Sequence, residues 1–80
     1  MKTYRFLGAK ARRRREEIGL TTRQVATMIG VTAGHVRNLE TGNSDISPPT
    51  YKLLCGALHV EMDALREEID DRLDDDGEAA

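Results

Sequence analysis

The side chains with the most chemistry to offer in this 80-residue chain lie close together, in and around the stretch Ala33–Thr41. If that stretch is helical with Val36 at the centre of its buried side, about 100° per residue also turns Leu39 and Glu40 inward. Gly34, Arg37, Asn38 and Thr41 then take the opposite face, with Ala33 at its border. An Asn amide there can pair bidentately with adenine, and an Arg guanidinium can pair with guanine or reach a phosphate. Ala33 and Gly34 have no hydrogen-bonding side chain, so that end offers only a methyl contact or passes the task to His35. Ala33, Gly34, His35, Arg37, Asn38 and Thr41 are the candidate base-reading set. Phosphate contacts would come from polar groups at helix N-termini and flanks: Thr22 and Arg23, then Thr32, then the loop amides of Asn43 and Ser44.

Other chemistries find less support. A catalytic site needs a nucleophile with its base, a paired acid, a phosphate-cradling loop or a metal, and the residues suggest none, so no enzyme and no cofactor is expected. Cys55 and His59 have i, i+4 spacing, but no second pair completes a metal site, and Cys55 reads as a small core residue. Asp70, Asp71, Asp74, Asp75 and Asp76 lack the alternating ligand spacing of a calcium loop. A single cysteine cannot form an internal disulfide, and no stretch resembles a membrane span or signal peptide. A cytoplasmic protein is expected.

Elements must hold the reading row in place, and the sequence marks them with start and stop signals. Leu7, Ala11 and Ile18 share one helical face, which Gly19 closes. The same face takes in Arg14, with Arg15 at its edge, so at least one of these arginines needs a buried partner or must snorkel. Thr21 and Gln24 have capping-box spacing, and Leu20 and Val25 the spacing of a hydrophobic staple. A second helix therefore runs to Ile29 before Gly30, and a third follows at once with Thr32 as N-cap, ending at Gly42. Ala26 lets the two helices approach, Gly30 can take the positive φ that reverses the chain, and Val25, Ile29, Val31, Val36 and Leu39 supply the seam. Ser47 and Pro48 start a fourth helix over 48–58, with Tyr51, Leu54, Ala57 and Leu58 inward. Leu65, Ile69 and Leu73, four apart, predict a fifth. The expected fold is all-α, five short helices without a strand: one domain over 1–73, a helix-turn-helix at 22–41, and an acidic, disordered tail over 74–80.

Composition agrees with a compact domain, at 39% hydrophobic and 32% charged. The net charge of −2 hides a polarity: residues 1–42 carry nine Lys/Arg against three Glu, and residues 43–80 three against eleven Asp/Glu. Such a molecule would approach a polyanion basic end first.

The segments Arg15-Glu16-Glu17-Ile18-Gly19-Leu20-Thr21, Val25-Ala26, Ile29-Gly30-Val31-Thr32, Val36 to Gly42 and Ala57-Leu58-His59-Val60 together resemble the XRE family of helix-turn-helix regulators, which includes the lambda and 434 repressors and Cro proteins. The resemblance covers roughly residues 7–66. It implies a lambda-repressor-like domain whose third helix enters the DNA major groove, with double-stranded DNA as partner. It also implies a structural ion pair between Arg15 and the inward-facing Glu40, the alternative being two solvated charges. Thr22 stands where many members have Gln, and Asp45 lies in a loop where bases are often found. The expected activity is transcription regulation, as a repressor, by a homodimer on a palindromic operator with half-sites about 34 Å apart. Met62, Ile69 and Leu73 are the candidate dimer surface. The alternative is an antitoxin- or antirepressor-type module that binds a protein partner through its acidic C-terminal segment.

Overall fold

In a computed structural model the described residues are 2–70. They form β1 (Lys2–Phe6), α1 (Gly8–Glu17), α2 (Thr22–Ile29), α3 (Ala33–Thr41), α4 (Pro48–Ala57) and β2 (Arg66–Asp70). The helices begin and end where local chemistry dictates. Thr21 Oγ1 accepts from Gln24 N while Gln24 Oε1 accepts from Thr21 N, a complete capping box at the head of α2. Gly30, at φ 78°, closes α2, and the amides of Gly30 and Val31 both donate to Ala26 O. Thr32 then accepts from His35 N to start α3. Gly42, at φ 83°, ends α3, and Ser47 with Pro48 starts α4.

The core forms where these helices meet. Val25, Ala26 and Ile29 of α2, Val36 of α3, Tyr51, Leu54 and Cys55 of α4, with Leu58 just after it, are all buried, as are Ala11 of α1 and Leu65. α1 approaches α3 closely because Gly8 has no side chain. A Cβ there would collide with the carbonyl oxygens of Leu39 and Glu40. Arg14, on the apolar face of α1, turns its guanidinium to the end of α4, donating from Nε to Leu58 O (2.8 Å) and from Nη2 to His59 O (3.4 Å). One inward arginine thereby finds its partner in free helix C-terminal carbonyls.

The expected fifth helix is absent, and so is the strand-free architecture: the described residues hold four helices and a two-stranded antiparallel ribbon, β1 against β2. Leu65 and Ile69 are four apart, and four is compatible with a helical period of 3.6 and equally with a strand period of two. The register decides between them. Thr3 faces Ile69, Arg5 faces Glu67 and Phe6 faces Arg66; Arg5 Nη1 pairs with Glu67 Oε1 at 3.1 Å, and Thr3 Oγ1 donates to Ile69 O. β1 also contributes β-favouring Thr3, Tyr4 and Phe6, and Phe6 packs edge-on against Tyr51, ring centroids 6.1 Å apart. Leu65 is a core residue: its N–H donates to Tyr51 Oη and its carbonyl accepts from Leu7 N. The stripe through Leu73 and the tail over 74–80 lie outside the described residues. Among the described residues, no helix is long and apolar enough to cross a membrane.

Candidate nucleic-acid interface

α2 and α3 meet across the three-residue turn Gly30-Val31-Thr32, and their buried seam of Val25, Ala26, Ile29, Val36 and Leu39 fixes the angle between them. The opposite face of α3 is open. Arg37, Asn38 and Thr41 are exposed there, while Ala33, Gly34 and His35 are half-buried at the helix start. Arg37 leans back along the helix, bringing Nη2 to 3.9 Å from where a Gly34 Cβ would sit. The guanidinium thus lies beside the bare backbone at Gly34, over the N-terminal part of the row. Thr41 Oγ1 donates to Arg37 O (2.9 Å), so its proton is held by its own helix and the hydroxyl presents lone pairs outward.

The proposed phosphate-facing groups are less uniform. Arg23 is exposed and Thr22 half-buried at the head of α2, and Thr32 is exposed at the head of α3. The Thr32 hydroxyl already accepts from His35 N. In the loop, Asn43 N donates to Asn38 O at 2.9 Å, so only the side chain of Asn43 is available outward. Ser44 is half-buried.

Arg15 and Glu40 hold α3 against α1. Arg15 Nε donates to Glu40 Oε2 at 2.7 Å and Nη2 to Oε1 at 3.0 Å, a two-pronged pair, and Nη1 donates to Leu20 O at 2.8 Å. The side chains are only 12% and 8% exposed. The hydrogen bond to Glu40 raises the Arg15 pKa above the ordinary guanidinium value, against the opposing effect of burial. The pair ties the end of α3 to the loop that precedes α2.

Residues 7–69 match the helix-turn-helix domain family. The chain belongs to that family. It is similar to solved structures of the lambda-repressor-like fold. The clp gene regulator ClgR of Corynebacterium glutamicum is 32% identical over 70% of this chain, with a TM-score of 0.68. The restriction-modification controller protein C.AhdI of Aeromonas hydrophila is 27% identical, covering 70% of this chain and 85% of its own, with a TM-score of 0.67. The P22 c2 repressor, solved in complex with a synthetic operator, shares the fold at 20% identity, over 74% of this chain and 89% of its own (TM-score 0.69). This chain spans 60% of the ClgR chain it matches. No curated protein sequence matches it. These proteins are by name a gene regulator, a restriction-modification controller and a repressor, and the α2–α3 unit lies within the residues that match the helix-turn-helix family.

Two structural features escaped the sequence. Arg66 stacks over the Tyr4 ring at 4.1 Å, with the Tyr51 ring centroid at 5.5 Å, and this cluster exists only because β1 and β2 pair. The alternation Thr3-Tyr4-Arg5-Phe6 was the available signal. Of the candidate dimer residues, Met62 sits in the turn before β2 and lines a cleft, and Ile69 lies half-buried on β2 rather than on a helix. Leu73 lies outside the described residues.

Proposed function

We propose that this chain is a sequence-specific, double-stranded-DNA-binding transcription regulator, acting as a repressor, that reads the major groove with α3. The observation that carries this reading is the exposed row of Arg37, Asn38 and Thr41 on a helix whose other face is locked by the Arg15–Glu40 pair. Arg37 and Asn38 do most of the reading, since Ala33 and Gly34 contribute shape and little hydrogen bonding. Arg23, Thr22, Thr32 and the side chains of Asn43 and Ser44 position the duplex through phosphates. A homodimer on a palindromic operator suits a domain with so short a reading surface. Replacing Ile69 by Asp tests this by solution mass, which should fall to that of the monomer.

The decisive experiment is an unbiased selection of bound DNA sequences at fixed salt, repeated with Asn38→Ala and Arg37→Ala. Each substitution should erase discrimination at defined base positions, at about 1–3 kcal/mol per position. Uniform weakening across all sequences would reduce both residues to phosphate binders and overturn the reading.

A further inference from the structure

Away from the α3 reading row, the ribbon, the loop after α3 and the start of α4 enclose a cleft of about 550 Å3, a size suited to a small organic molecule. Tyr4 and Phe6 of β1, Ile46 of the loop and Tyr51 of α4 give it apolar and aromatic walls, and its two charges are Arg66 and Asp45. These charges do not satisfy each other. Arg5 and Arg15 each find a carboxylate, at 3.1 and 2.7 Å, whereas Arg66 forms no ion pair among the described residues and faces Phe6 across the ribbon. Its guanidinium lies instead on two tyrosine rings, with Nε buried and without a hydrogen-bond partner among the described residues. Buried polar groups are rarely left so. Tyr51 can offer only its ring, because its hydroxyl already donates to Met62 O and accepts from Leu65 N.

A simple anion in this cleft would meet Asp45, and a simple cation would meet Arg66. A molecule with both a carboxylate and an ammonium, on an apolar body, meets neither conflict. We infer that the cleft binds a small zwitterion of the class of aromatic or branched α-amino acids, its carboxylate on Arg66, its ammonium on Asp45 and its side chain among Tyr4, Phe6, Tyr51 and Ile46. Asp45 and Ile46 continue directly from Asn43 and Ser44, so an occupied cleft bears on two of the proposed phosphate contacts. That consequence rests on the DNA-binding reading; the site itself does not.

The test uses the full chain, labelled with 15N and without DNA, titrated with L-phenylalanine, with phenylacetate, which lacks the ammonium, and with phenethylamine, which lacks the carboxylate. L-Phenylalanine should give saturable shifts at the Tyr4, Ile46 and Arg66 amides, with each truncated probe roughly tenfold weaker. Asp45→Asn, at an exposed loop position that leaves the fold intact, should weaken L-phenylalanine by a similar factor and spare phenylacetate. Arg66→Gln should weaken both. Absence of saturable shifts up to about 10 mM, equal binding of all three probes, or indifference to Asp45→Asn would overturn the proposal. Shifts that follow protein concentration alone would overturn it too, by assigning the cleft to a second copy of the chain.

Discussion

Replacing Arg15 by Ala should bring the domain close to its unfolding threshold. The substitution deletes both prongs of the contact with Glu40 and the bond to Leu20 O. It leaves a carboxylate whose side chain is only 8% exposed without its cation. Breaking one side of a buried pair in this way costs about 3–5 kcal/mol. An 80-residue chain has about 4–12 kcal/mol in all, so a large share of the total would go. Urea unfolding followed by far-ultraviolet circular dichroism reads this directly, as a fall in midpoint at unchanged slope. A double-mutant cycle separates the pair from packing. Arg15→Met with Glu40→Leu together should recover most of what either loses alone, because an apolar pair of similar volume leaves no stranded charge. A loss under about 1 kcal/mol for Arg15→Ala, or a double mutant as unstable as the sum of the singles, would show that the pair is a solvated contact and refute the argument.

Three further outcomes follow from local geometry. Gly8→Ala should destabilise by about 1–3 kcal/mol in the same unfolding assay, since its Cβ meets the backbone carbonyls of Leu39 and Glu40, which cannot move aside without displacing α3. His59 holds φ 56°, a left-handed conformation costing a non-glycine residue about 1–2 kcal/mol, so His59→Gly should raise the thermal midpoint, less the entropy glycine gains on unfolding. The Tyr51 phenol is pushed up to about 12, first by burial and then by its hydrogen bond with Cys55. Its folded value exceeds its unfolded one near 10, so its contribution is complete below pH 10 and is lost as the pH rises towards 12. Stability should therefore fall across that window, and Tyr51→Phe should flatten the slope while losing the bonds to Met62 and Leu65.

The sequence was most legible where a single local rule decided the outcome. Thr21 with Gln24, Thr32, Ser47 with Pro48, and the three left-handed glycines Gly19, Gly30 and Gly42 each encode a helix end within a few residues. The reading row was legible for the same reason: once Val36 is buried, helical geometry sends Arg37, Asn38 and Thr41 outward. The pairing of β1 with β2 was not legible, because its paired residues lie 60 or more positions apart and Leu65 to Ile69 fits either period. The cleft at Arg66 went unseen with it. The chemistry at Asn43 was misjudged: its amide was the expected phosphate contact, but that amide is taken by the cap of α3.

The charge polarity takes on a sharper meaning once the pairs are placed. Nine basic residues in positions 1–42 suggest a broadly positive face, yet four of the nine are already engaged. Arg5 is held by Glu67, Arg12 by Glu16, Arg14 by Glu17 and by carbonyls of the α4 end, and Arg15 by Glu40. Among the described residues of α1, α2 and α3, the cations without an ion pair are Lys10, Arg13, Arg23 and Arg37. Only the last two lie on the helix-turn-helix. Two free arginines, one at the head of α2 and one in the middle of α3, are a small electrostatic footprint, since each neutralised phosphate contributes about one unit to the salt slope of binding. Affinity in such a domain cannot come from bulk charge. Under the proposed function, affinity rests on base contacts by Arg37 and Asn38, on helix N-termini and on duplication of the unit in a dimer. The buried pair of Arg15 and Glu40 matters for the same reason: with so few contacts, the orientation of α3 has to be fixed before DNA arrives.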